Sequence, residues 1–238
     1  MASLTSLVVH YHHGEAHADL PPKGANALSA LAWWSSSTTV VGVSKSQHVA
    51  QALIVVDVQA AFVSGATAVP AATSLLTEIG GLLHRAREGG ALVVHLQNDG
   101  PAGSVDEPST PGWELFLPVG EHGDEVVFRK SSDDGFYGTA LADLLYVNDV
   151  RSLAICGLMS EMCVAATART AMALGFHVVM PHDAHGTYDI PAVAGLADLV
   201  PARMVSRVAE WSLGDQIDIV GRAADVRFKA PERGGEEI

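Results

Sequence analysis

Three residue types that can cooperate on an amide occur in this chain: a carboxylate at Asp57, an ammonium at Lys130 and a thiol at Cys163. A thiol becomes a nucleophile when a nearby base takes its proton. A carboxylate whose pKa has been raised by burial is such a base. A lysine beside them balances the charges and favours negative charge that develops on a substrate. An Asp–Lys–Cys set suits acyl transfer from an amide to the cysteine and then to water. Backbone N–H groups of the Gly157–Cys163 turn would stabilise the oxyanion. Each residue also has a plainer reading, Cys163 as a small buried hydrophobe and Asp57 with Lys130 as a buried ion pair.

The elements that must position these residues are legible as strand–helix alternation. Apolar, β-branched runs occur at Ala52–Val56, Ala91–Leu96, Glu125–Phe128, Ser152–Cys156 and His177–Met180, with a weaker one at Gln216–Val220. Helical patterns fall between them at Ala71–Glu88, Thr139–Tyr146, Cys163–Leu174 and Ala202–Trp211. Strands apolar throughout, alternating with helices, predict an α/β fold: a three-layer α/β/α domain with a mostly parallel sheet of about six strands. In such sheets ligands bind beyond the carboxyl ends of the strands, where strand order reverses. Asp57 ends the first strand, Lys130 the third, and Cys163 follows the fourth through Gly157. The start of a helix there supplies free N–H groups and a partial positive charge, which favour a thiolate. Three such groups on separate strand ends are better explained by a site than by chance.

Composition narrows the partners. The 238 residues are 48% hydrophobic and carry 14 basic against 27 acidic side chains, a formal charge of −13. No Lys/Arg cluster offers the footprint that nucleic acid or an anionic membrane requires. Two cysteines make no disulfide framework, and Cys156 points into the sheet while Cys163 lies beyond it, so a reducing cytoplasm is expected. No apolar run approaches a membrane span, and the N-terminus lacks the order of a signal peptide.

Residues 1–48 differ from the rest. They hold His10, His12, His13 and His17, a Pro21-Pro22 pair and a Ser/Thr run at 35–39 without sustained periodicity. They read as a poorly ordered extension, dispensable for catalysis, ahead of one domain at 49–238; a metal-binding tract is the sharper alternative.

Four passages resemble the isochorismatase-like cysteine hydrolases, which include nicotinamidases and N-carbamoylsarcosine amidases. They are Leu53-Ile-Val-Val-Asp-Val-Gln59, Phe128-Arg-Lys-Ser-Ser-Asp-Asp-Gly-Phe-Tyr-Gly-Thr139, Ile155-Cys-Gly-Leu-Met-Ser-Glu-Met-Cys-Val164 and His177–Thr187. Order and spacing match over roughly residues 50–220. The resemblance implies Asp57 as base, Lys130 as its electrostatic partner and Cys163 as nucleophile. It also implies a cis peptide at Leu158–Met159, the amides of Met159 and Cys163 aimed at the oxyanion, and a homodimer or larger assembly. Nicotinamidases hold a metal with an Asp-x-His and a further His after the second strand; here that region reads His95-Leu-Gln-Asn-Asp-Gly-Pro-Ala-Gly-Ser104. His95 reads as a core histidine; His182-Asp183-Ala-His185 could suggest a metal too, but the resemblance places it at an ordinary turn after the fifth strand, so no metal and no cofactor are expected.

Phe62, Gln97, Trp113 and Phe136 fall near the predicted rim and could wall a small pocket, although each also fits ordinary packing, loop bonding or, for Trp113, a lid or dimer contact. Glu161 reads as a charge at a helix start. The expected function is hydrolysis of a small molecule's amide, lactam or ureido C–N bond through a thioester; streptothricin-type lactam hydrolases are one member class, which nothing in the residues selects. The alternatives are a vinyl-ether hydrolase with Asp57 as acid and Cys163 incidental, or a non-catalytic protein on the same fold. Rapid alkylation of Cys163 would mark a poised thiolate, and slow alkylation a scaffold.

Overall fold

The computed structural model describes residues 48–120 and 125–232. The expected extension therefore lies outside the described residues except for His48, which already belongs to a strand. That strand, β1 (His48–Ala50), pairs in parallel with β9 (Val226–Phe228) as a small separate sheet. The main sheet comprises β2 (Ala52–Val56), β3 (Leu92–Asn98), β4 (Glu125–Lys130), β5 (Ser152–Leu158), β6 (His177–Pro181) and β8 (Asp218–Val220). Its order is β4-β3-β2-β5-β6-β8, all parallel, and the two-residue β7 (His185–Gly186) adds to the end of β5.

The layers follow from the period-two alternation of strand side chains. In β2, Ala52, Ile54 and Val56 join one core, and Leu53 and Val55 the other. The first core is closed by α3 (Leu141–Val147) and α4 (Ala165–Ala173), through Leu141, Leu145, Ala168 and Ala171. The second is closed by α2 (Ala72–Glu88), whose buried Leu75, Ile79, Leu82, Leu83 and Ala86 recur at helical spacing. The short α1 (Ala60–Val63) follows β2, and α5 (Ala202–Ser212) packs against the Ser160–Val164 turn.

β2 runs into β3 and then β4 on one side, whereas β5, β6 and β8 extend the sheet on the other. The order reverses between β2 and β5, which sets a crevice at the carboxyl ends of those two strands. Gly157 stands at this seam with φ +120°, beside Val56 in register. A β-carbon there would meet the Val56 carbonyl oxygen at 2.0 Å. Gly157→Ala is therefore expected to cost about 2–4 kcal/mol in denaturant unfolding, from backbone strain and steric overlap together.

A second prediction arises at the other end of the sheet, where the Glu125 carboxylate accepts Arg87 Nε–H at 2.6 Å and the Gly120 N–H at 2.6 Å and lies 3.3 Å from His95 Nε2. Burial pushes its pKa up, but these bonds, Arg87 foremost, overcome that and bring it to about 2. A carboxyl lowered by folding stabilises fully above its unfolded pKa and loses that contribution as pH falls through the folded value. Stability should thus decline between about pH 4.5 and 2. Glu125→Gln should flatten that decline and cost about 1–3 kcal/mol at neutral pH.

Candidate active site

Asp57, Lys130 and Cys163 converge at the reversal point. Asp57 is the first residue after β2 and takes a left-handed conformation, φ +48°. Such conformations in a non-glycine residue concentrate at functional sites. Its Oδ2 lies 2.7 Å from Lys130 Nζ, at the end of β4. The same ammonium donates to Cys163 Sγ at 3.4 Å, the Ser132 carbonyl at 3.1 Å and Asn98 Oδ1 at 3.4 Å. Asp57 and Lys130 are each 3% exposed and Cys163 9%. Asp57 Oδ1 is buried without a hydrogen bond of its own.

Cys163 is presented by an irregular turn. The Leu158–Met159 peptide is cis, and Ser160–Val164 wind as a wide turn in which the Met159 carbonyl accepts the N–H groups of Met162 and Val164. Met162 has non-helical angles, after which the chain enters α4. The side chain of Cys163 packs in the first core with Phe136, and its Sγ lies 3.7 Å from the exposed Asp133 carboxylate.

Burial and mutual charge shift all three groups. Burial raises Asp57 above the ordinary carboxylate range, with Lys130 pulling it back. Burial alone would lower Lys130, but Asp57 and Cys163 outweigh it and hold the ammonium charged. Burial, then the charge of Asp57, pushes the Cys163 thiol well up, with Lys130 opposing. The favourable start of α4 does not prevail, because a thiolate here would sit buried beside a carboxylate. Burial thus disfavours a thiolate at Cys163 in the free protein, while Asp57 and Cys163 favour the charged form of Lys130.

The Isochorismatase domain profile matches residues 51–206. This chain belongs to the isochorismatase family. Two proteins of Streptomyces noursei named streptothricin hydrolase are 64% and 62% identical to it over 181 and 183 residues, 76% and 77% of this chain. The matches span 66% and 73% of those relatives' lengths. An isochorismatase structure from Pseudomonas putida KT2440 superposes with a TM-score of 0.67 at 25% identity, covering 76% of this chain and 90% of its own.

The four residues expected to wall a substrate pocket each make packing or loop contacts. Phe136 belongs to the first core and stacks on Phe176 at 6.3 Å, while Phe62 packs against the second core. Gln97 is buried and donates its side-chain amide to the Trp113 carbonyl at 2.9 Å. Trp113 donates its indole N–H to Asp99 at 2.9 Å and carries the Arg129 guanidinium 5.0 Å from its ring centre. Glu161 accepts the Thr187 hydroxyl at 2.8 Å, and His95 is buried against Glu125.

Sequence reasoning missed the supports of the lysine. Gln59 accepts the Asn98 N–H at 2.8 Å and donates to the Asn98 and Trp113 carbonyls at 3.0 and 2.9 Å. Asn98 donates its side-chain amide to Asp106 at 2.7 Å, which leaves its carbonyl oxygen for Lys130. The signal for Gln59 was its place two residues after Asp57; Asn98 and Asp106 carried none. A cavity of about 550 Å³ lies elsewhere, lined by residues of the 70–78, 182–189 and 201–206 segments and none of the trio.

Proposed function

We propose that this family member is a cysteine-dependent hydrolase of a small molecule's C–N bond, with a lactam of the streptothricin type as the first substrate to test. The observation that carries the reading is the buried Lys130 ammonium bridging Asp57 Oδ2 and Cys163 Sγ at 2.7 and 3.4 Å. The streptothricin hydrolase relatives support the choice of substrate.

In the proposed mechanism Asp57 takes the thiol proton as Sγ attacks the carbonyl carbon, so the thiolate exists only as the new bond forms. Lys130 stays protonated and offsets the charge that passes from carboxylate to sulfur. The amides of Met159 and Cys163 receive the oxyanion. Asp57 then gives its proton to the departing nitrogen, the C–N bond breaks, and a thioester remains. A water deprotonated by Asp57 attacks the thioester; the acid leaves, and the thiol recovers its proton. No step in this sequence calls on a metal.

Incubation with streptothricin and a panel of lactams, primary amides and ureido acids, followed by mass spectrometry, tests the reading. Gain of one water by a lactam, or release of amine or ammonia from an amide, supports it. Turnover of a vinyl ether alone would favour the other family chemistry, with the raised Asp57 as acid. The proposal extends to a homo-oligomer in a reducing cytoplasm. Sedimentation of a single-chain species would remove the first part. Among the described residues no helix is long and apolar enough to cross a membrane.

A further inference from the structure

The turn after β6 holds a second group of convergent side chains that the proposed hydrolysis does not use. His182 Nδ1 and His185 Nε2 approach one oxygen, Glu210 Oε1, at 2.5 and 3.1 Å. The three ligand atoms lie within 4.8 Å of one another, the one such group of His, Cys, Asp or Glu among the described residues. The two histidines come from a 3₁₀ turn at His182–Ala184 and the start of β7, and Glu210 from α5.

We propose that His182, His185 and Glu210 form a binding site for one divalent transition-metal ion such as zinc or cobalt. Two imidazoles and a carboxylate are a donor set such ions accept, at about 2.0–2.2 Å from each ligand atom. At tetrahedral angles that places ligand atoms roughly 3.4 Å apart. The two histidine–carboxylate separations need to open by under about 1 Å, a rotamer-scale adjustment.

The surroundings are arranged as a second shell requires. Ser160 Oγ lies 2.8 Å from His185 Nδ1 and is held in turn by Ser206 Oγ at 2.9 Å, which orients the ring and leaves Nε2 as the inward atom. Arg207 donates to Glu210 Oε2 at 3.1 Å, so Oε1 is the oxygen free to bind in a single-oxygen mode. Asp183 is turned away, accepting the Ala223 N–H at 2.6 Å. His185 and Glu210 side chains are buried, whereas His182 is 47% exposed, which gives an ion an entry path and a position open to water. The site is separate from Asp57 and Lys130. It lies behind the turn that presents Cys163, through Ser160.

In the present arrangement protons fill the place the ion would take, each imidazole bonding to Glu210, and the experiment must distinguish the two occupants. The full chain, stripped with a chelator, is titrated with Zn²⁺ against a chromophoric competitor and with Co²⁺ by visible absorption, beside His182→Ala and Glu210→Gln. His182 is the half-exposed ligand, so its variant should fold even if Glu210→Gln does not; thermal melts check this. The expected result is one equivalent of metal lost, or its affinity weakened at least about 100-fold, in His182→Ala. The ligand-field bands of a four-coordinate cobalt site should disappear with it. Equal stoichiometry and affinity in the wild type and His182→Ala would overturn the proposal. That result would assign any bound metal to other residues, such as His10, His12, His13 and His17. Absence of any binding by the wild type would overturn it as well. The readout does not depend on which substrate the enzyme hydrolyses.

Discussion

Cys163→Ala should abolish hydrolysis of whichever amide or lactam proves the best substrate, lowering kcat/KM by at least about 10⁴-fold. The thiol is the acyl acceptor in the proposed mechanism, and neither Asp57 nor Lys130 can form the covalent intermediate in its place. The fold should survive, because the substitution removes one sulfur atom near the rim and leaves the Asp57–Lys130 pair at 2.7 Å intact. Melting temperature and substrate affinity therefore serve as the controls. Trapping distinguishes the two chemistries further: with wild type, a slow substrate should add its acyl mass to the peptide containing Cys163. Undiminished turnover by Cys163→Ala would remove the thioester mechanism and leave an Asp57-driven ether hydrolysis as the better account.

Lys130→Met should damage both activity and stability, and the two losses should separate with pH. The substitution keeps most of the stem volume but leaves the Asp57 carboxylate buried without its cation. Breaking such a pair costs about 3–5 kcal/mol while the remaining group stays charged. The group escapes that cost by binding a proton, so its pKa, already raised by burial, rises further. For a folded pKa above the unfolded one, the stabilising protonation is fully present below the unfolded value and is lost as pH rises through the folded one. The variant should therefore lie closest to wild type near pH 4, and fall furthest behind at neutral pH. Activity should show the complementary signature. In the wild type kcat/KM should fall on the acid side as Asp57 protonates, at a midpoint above the ordinary carboxylate range. In Lys130→Met that limb should move to higher pH, with neutral turnover reduced about 10³-fold or more. Denaturant melts and pH–rate profiles measure both. Matching pH dependence in the two proteins would sink the electrostatic role of Lys130.

The same physics explains what could be read from the chain. β2, β3 and β5 announced themselves because strands covered on both faces are apolar at every position, and their ends, Asp57 and Gly157, stood out by contrast. Lys130 was legible for the same reason, as a charge closing an apolar strand. β1 and β9 were not: three residues each, His48-Val-Ala50 and Val226-Arg-Phe228, carry too little pattern, and their pairing joins distant ends of the domain. The wide winding of Ser160–Val164 was not legible, although the turn and its cis peptide were expected, since helical periodicity from Cys163 onward says nothing about how the chain enters the helix. Side-chain partnerships were the least accessible. Gln97 looked like a rim residue because its strand ends there, yet its amide is consumed by a carbonyl sixteen residues on. His182 and His185 read as an ordinary turn because their third partner, Glu210, lies on a helix twenty-five residues beyond His185.

The burial of Cys163 gives the chain a built-in clock. In an unfolded chain both thiols have ordinary acidity and react freely with alkylating reagents. Folding silences them by different events. Cys156 is shut off when β5 enters the sheet, fully buried and bonded towards the Ile54 carbonyl. Cys163 is shut off only once it is buried in the first core with the Asp57 carboxylate of β2 beside it, against the opposing pull of Lys130, which requires strands on both sides of the reversal point to have paired. Pulsed alkylation during refolding would thus time two stages of sheet assembly from one protein without any added probe, the outer thiol reporting completion of the site itself.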